Sequence, residues 1–146
     1  MKCSSCLGNR ASFYNSNMDT MIKKIKIETS NSYSNLRPVY SAIINIDDNK
    51  VYYNGKLNVK KYGMHYGKIP SYFAELLVDF ITSTCFLNML DSYTSSFVDL
   101  SKTRITLFLK NGQSKSIIFD DLSKPSQLLA IKLMIDNALK YVRWNY

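Results

Sequence analysis

No apolar run in this chain approaches the roughly 18 to 20 residues of a bilayer-spanning helix, which argues against a helical membrane anchor. The opening MKCSSCLGNRASFYNSNMD contains no apolar segment of roughly 7 to 15 residues, so no secretory signal is expected there. A full-length chain would then be cytoplasmic; a trimmed leader would leave an envelope or lipoprotein location open. Histidine occurs once, at position 65, and any Ser/His or Cys/His mechanism would have to run through it. The patterns G-x-S-x-G, H-E-x-x-H, G-x-x-x-x-G-K-[ST] and G-x-G-x-x-G are all absent. With them go the nucleophile elbow, the zinc-protease helix, the phosphate-cradling loop and the dinucleotide turn. We therefore expect no enzyme and no bound cofactor.

Cysteine is scarce, at three residues. Cys3 and Cys6 have the spacing of half a zinc site, but only His65 and Cys85 remain to complete it and they form no second knuckle. No metal site is expected; the pair reads as two cysteines without a role, with a disulfide or a reactive thiol within the tail as the alternative. Cys85, between Thr84 and Phe86 at the end of an apolar stretch, reads as a small core residue. Asp47-Asp48 lies between two strand-like runs and reads as turn residues rather than paired catalytic carboxylates. Asp120-Asp121 reads as a helix start favoured by the macrodipole.

What the chain does contain suits one globular core. At 146 residues it has the length of a single domain, enough to bury roughly two thirds of its unfolded surface without staples. Its net charge of +8 is uneven: residues 1–73 hold eleven Lys/Arg against four Asp/Glu, and residues 74–146 hold eight against seven. The excess lies mainly in Lys23, Lys24 and Lys26, then in Lys56, Lys60, Lys61 and Lys68. A field of that sign favours nucleic acid, an anionic protein or an anionic membrane surface. Lysines spaced along strands also solubilise a face and discourage edge pairing.

Residues 1–19 are polar and aperiodic, the pattern of a flexible tail ahead of one domain over 20–146. From Thr20 to Thr29, Ile25 and Ile27 alternate with Lys24, Lys26 and Glu28, which predicts a half-buried strand. Arg37 to Val59 carries the clearest strand, turn and strand pattern, with the turn at Asp47-Asp48-Asn49 and a second reversal or a bulge at Asn54-Gly55. A further strand is expected over Leu57 to Met64. Pro70 and Ser71 open a helix with Phe73, Leu76, Leu77, Phe80 and Ile81 on one face, closed by Thr82-Ser83-Thr84. Phe86 to Leu90 reads as a short strand or continued helix, and Asp91 to Ser96 as a loop. Arg104 to Lys110 and Ser114 to Phe119 flank Asn111-Gly112, a hairpin with a type I′ turn. A last helix begins near Pro125 with caps offered by Asp120, Asp121 and Ser123. It turns Leu128, Ile131, Ile135, Ala138, Leu139 and Val142 inward, and Trp144 anchors its end. No repeat or linker interrupts this order. It predicts an α+β fold: an antiparallel sheet of about five to seven strands with two helices packed on one face.

Pro38-Val39-Tyr40, Asp47 to Tyr53 and Tyr53-Asn54-Gly55 together resemble a small bacterial domain family of unknown function. Its signature runs C-F-G-x-C-P-x-Y, then a strand, D-G, and a strand ending in Y-x-G. The likeness continues through the helix after Pro70, Tyr93, Asp99, Asn111-Gly112 and the C-terminal helix, covering roughly residues 22 to 144. The two signature cysteines fall here on Tyr33 and Arg37, so any thiol or disulfide role of that pair is absent. The resemblance implies no catalytic residue.

The remaining signal is a mixture of tyrosine and lysine over residues 50–68. Lys56, Lys60, Lys61, Tyr62, His65, Tyr66 and Lys68 are the candidate binding surface. Tyrosine is a favoured contact residue of protein interfaces, and one exposed sheet face suffices for docking. We therefore expect a non-catalytic protein-binding or structural module, with its partner and oligomeric state open. The alternative is a nucleic-acid-binding module in which the tyrosines stack bases and the lysines neutralise phosphates, although the ordered glycine and aromatic signature of an RNA-recognition motif is missing.

Overall fold

A computed structural model describes residues 22–31, 37–96 and 100–145. The expected tail, with Cys3 and Cys6, lies outside the described residues, as does Asp99. In chain order the elements are β1 (Ile22–Thr29), β2 (Val39–Asn45), β3 (Lys50–Leu57), β4 (Gly63–Lys68), α1 (Ser71–Ser83), a 3-10 turn (Phe86–Asn88), β5 (Ser92–Tyr93), β6 (Lys102–Leu109), β7 (Ser114–Asp120), α2 (Ser126–Leu139) and β8 (Arg143–Trp144). All eight strands join one sheet in the order β5-β7-β6-β1-β2-β3-β4-β8. The α+β class stands, but the sheet exceeds the expected five to seven strands and is not wholly antiparallel, because β5 pairs β7 in parallel. The two additions are the two-residue edge strands β5 and β8, too short to show any alternation.

Alternation decides which side of each longer strand is buried. Ile25, Ile27, Ala42, Ile44, Val51, Ile105, Leu107 and Ile117 are at most 2% exposed. They form one core with Ala74, Leu77 and Ile81 of α1 and Leu128, Ile131, Ile135 and Ala138 of α2. Leu76, expected inward, is 53% exposed, and Ala74 takes its place. The stripe Ala74, Leu77, Ile81 keeps three- and four-residue spacing, which turns Leu76 to the far side.

Helix α1 starts at Pro70 without a side-chain cap, so Ser71 does not serve the free N–H groups as expected. The carbonyl of Pro70 takes the N–H of Phe73 instead, at 3.0 Å. At the other end Thr82, Ser83 and Thr84 each donate a hydroxyl to a preceding carbonyl at 2.7 Å, competing with the helix ladder. Cys85 then takes a positive φ of 60° and a 3-10 turn follows, neither of the two forms expected for Phe86 to Leu90. Cys85 is buried as expected but is not a simple core thiol: it is disulfide-bonded.

Of the two readings offered for Asn54-Gly55 the bulge holds: β3 runs on to Leu57, and the register slips between Val39 and Tyr40 where a bulge absorbs one residue. Two other readings are revised. The reversal comes at residues 58–62, beginning with Asn58 at φ 54°, so no strand spans Leu57 to Met64. In the second hairpin Gly112 has φ 92° while Asn111 does not have a positive φ. With Gly112 N–H bonded to Leu109 O at 3.1 Å, this is a three-residue loop with a type I turn and a left-handed glycine, not type I′.

Asp120 closes β7 rather than opening α2, whose first turn holds no acid and no side-chain cap. Its Oδ1 accepts the N–H groups of Leu122 and Ser123 at 3.0 and 2.8 Å, and Oδ2 that of Ser95 at 2.6 Å. Burial opposes its ionisation, but these backbone donors outweigh burial and hold the carboxyl below its ordinary range.

Candidate functional site

Where β3, β4 and β8 lie side by side, the face of the sheet away from the helices is exposed, and its chemistry is the opposite of the core's. Across β3, β4 and β8 the strand registers align Lys50 with Lys68 and Lys68 with Arg143, so three cations stand side by side. All three are exposed, and none has an ion pair among the described residues. The neighbouring rung pairs Tyr52 with Tyr66, ring centroids 6.5 Å apart and 45° between planes. Lys50, Tyr52, Tyr66, Gly67, Lys68 and Asn145 line a cleft of about 300 Å³ there. Next along β4, Met64 is 68% exposed.

The close approach of β8 depends on a missing side chain. A Cβ on Gly67 would lie 2.2 Å from the carbonyl oxygen of Arg143, so only glycine lets β8 pair there. Asn145 N–H then bonds Tyr66 O at 2.8 Å, which keeps Arg143 in the cationic row.

The candidate residues chosen from sequence are divided by this geometry. Tyr66 and Lys68 lie on the open face, joined by Lys50 and Tyr52 and by Arg143, which the sequence reading missed because β8 is too short to announce itself. Lys56 sits at the bulge, and Lys60, Lys61 and Tyr62 belong to the β3–β4 reversal. His65 is half-buried and does not share a face with Tyr66. Strand alternation sends it to the covered side, where its ring lies 6.4 Å from Tyr53 and 6.2 Å from Trp144, and Nε2 is 2.9 Å from Tyr62 O. Lys61 joins that cluster, its ammonium 5.8 Å from the Trp144 ring. Trp144 thus anchors a strand instead of the end of a helix.

Asp47 and Asp48 behave as turn residues: Asp48 accepts the N–H of Lys50 at 3.0 Å, and Asp47 pairs with Lys110 at 3.3 Å. Among the described residues no three His, Cys, Asp or Glu side chains converge as metal ligands do, and no helix is long and apolar enough to cross a membrane.

A model of a domain of unknown function, DUF6438, matches residues 23–139. The chain belongs to this family. In this DUF6438 domain the matched span holds Lys50, Tyr52, Tyr66 and Lys68 and ends with α2, so Arg143 and the rest of β8 lie beyond it. No curated protein matches the chain.

Proposed function

We propose that this DUF6438 protein is a non-catalytic binding module whose open sheet face, from β3 to β8, docks an acidic segment of a partner protein. The row Lys50, Lys68, Arg143 beside the Tyr52–Tyr66 pair carries this reading. Like charges set opposite one another on neighbouring strands cost stability, and an acidic ligand relieves that repulsion. Tyr52, Tyr66 and Met64 supply apolar contact area of the kind that protein interfaces favour, and the thioether of Met64 fits a polypeptide better than a base. Both sheet edges are two-residue strands, which leaves little backbone for strand addition and makes the flat face the contact.

Cross-linking in the native host tests the assignment. The intact protein should link through Lys50 and Lys68 to an acidic stretch of one partner. An Arg143→Glu variant, which keeps both cross-linking lysines, should fold normally and lose those links. Identical links from both proteins would overturn the proposal. Binding of oligodeoxythymidine that falls steeply with salt would transfer the face to nucleic acid.

We further propose that the protein works in an oxidising compartment, which the disulfide at Cys85 supports. Thiol titration of denatured protein from the native host should then find one free thiol among the three cysteines. Three free thiols would return the protein to the cytoplasm.

A further inference from the structure

On the covered side of the sheet, the end of β1, the start of β2, the start of β6 and α2 enclose a recess of about 270 Å³. Its charges are already matched. Lys132 holds Asp136 at 3.0 Å across one turn of α2, and Arg37 holds Asp121 at 2.9 Å. Tyr40, 8% exposed, donates its phenol hydrogen to Asp136. Burial and then the Asp136 carboxylate push the Tyr40 phenol far above its ordinary range, so it stays protonated as that donor. The Tyr53 ring stacks on Tyr40, centroids 5.7 Å apart and 25° between planes, giving the recess an aromatic wall.

One polar group is left over. Ser101 lines the recess at 7% exposure, and its hydroxyl has no hydrogen-bond partner among the described residues. A buried hydroxyl without a partner costs folding free energy, and native proteins leave few of them.

We infer that this recess binds a neutral polyhydroxylated molecule the size of one sugar ring. Size narrows the choice: at about 30 Å³ per water the recess holds about nine waters, the scale of one sugar ring. One pyranose ring fills it. Charge excludes more. With both cations paired to carboxylates the recess presents no uncompensated charge to attract an ion, whereas hydroxyl groups use the donor and acceptor sites those pairs leave free, five N–H on a guanidinium and about four lone pairs on a carboxylate. The stacked tyrosines offer an apolar wall for the C–H face of a ring, and Ser101 gains its missing partner. Free monosaccharide and the end residue of a glycan present the same groups.

The test is amide-shift titration of the full chain with D-glucose, D-galactose and N-acetyl-D-glucosamine, and with glycine, acetate and phosphate as charged competitors. At least one sugar should give saturable shifts confined to Ser101, Tyr53 and residues 132–136. Ser101→Ala should weaken it about fivefold to tenfold, the value of one hydrogen bond, while raising the unfolding midpoint because the orphan hydroxyl is gone. A purely structural serine would not separate those two readouts. Tyr53→Leu should weaken the same sugar further, and Lys68→Glu on the open face should leave it unchanged. A methyl glycoside that binds as well as the free sugar would assign the site to glycan ends; loss on methylation would assign it to free sugar. The inference falls if glycine, acetate or phosphate binds more tightly than every sugar. It also falls if no sugar moves these amides, or if Ser101→Ala binds as the wild type does.

Discussion

The two sides of the sheet are made by the same strands, yet they answer to different demands. In β3, Val51 is 0% exposed and the next residue, Tyr52, is 41% exposed. On the helix side isoleucine, leucine and valine sit out of water, each fully buried side chain contributing about 1.5–3 kcal/mol. On the other side lysine, arginine and tyrosine are left in solvent, and Lys50, Lys68 and Arg143 are placed against one another. The covered side therefore accounts for why the chain folds. The open side carries a pattern that stability alone does not require, and that is the ground for reading it as a contact surface.

The contrast can be broken by substitution. Ile105→Ala, at a fully buried position, should cost about 2–5 kcal/mol in urea unfolding, while Tyr66→Ala should stay within about 0.5 kcal/mol. Equal losses would mean that the two sides do not differ in kind. Gly67→Ala drives a methyl into the Arg143 carbonyl and should cost about 1–3 kcal/mol, releasing β8. Faster hydrogen exchange at Asn145 N–H, with β6 unaffected, would locate that loss.

Asp120 sharpens the comparison through pH. Its folded pKa is lowered from 3.8, so the stability it confers is present above that value and drains away as the pH falls through the folded pKa. Asp120→Asn, which puts an amide where Ser95 donates, should cost about 1.5–3 kcal/mol at neutral pH and flatten this part of the acid limb. Smallest of all, Lys68→Thr should raise stability by about 0.2–1 kcal/mol by relieving the cationic row, while weakening partner binding. Stability and binding moving in opposite directions at one residue is the signature expected of the open side.

Much of the covered side was legible in the sequence because burial writes itself as period. Ile25 and Ile27, Ile105, Leu107 and Leu109, and Leu128, Ile131 and Ile135 follow periods of two or of three to four, and all are buried. Leu76 was misassigned because it adjoins the true stripe. The strands β5 and β8 left no trace, since two residues hold no period and their pairing is decided by segments far along the chain. The candidate surface was half legible for a related reason. The lysine and tyrosine content of residues 50–68 was plain, but which of them share a face depended on the bulge near Gly55 and the reversal at residues 58–62. Arg143 joins only through β8. The recess beneath α2 draws on Arg37, Tyr40, Ser101 and Asp136, which no short motif could have gathered.

The position of β1 has a consequence for how the protein is made. It emerges first among the described strands, yet it sits in the interior of the sheet, held by β2 on one side and by β6 on the other. At a translation rate of roughly 5–20 residues per second, the ribosome delivers β6 several seconds after β1. Until then β1 through β4 form an incomplete meander with one side of β1 unpaired. Nascent chains stalled between β4 and β6 should therefore be the species that chaperones hold and proteases cut.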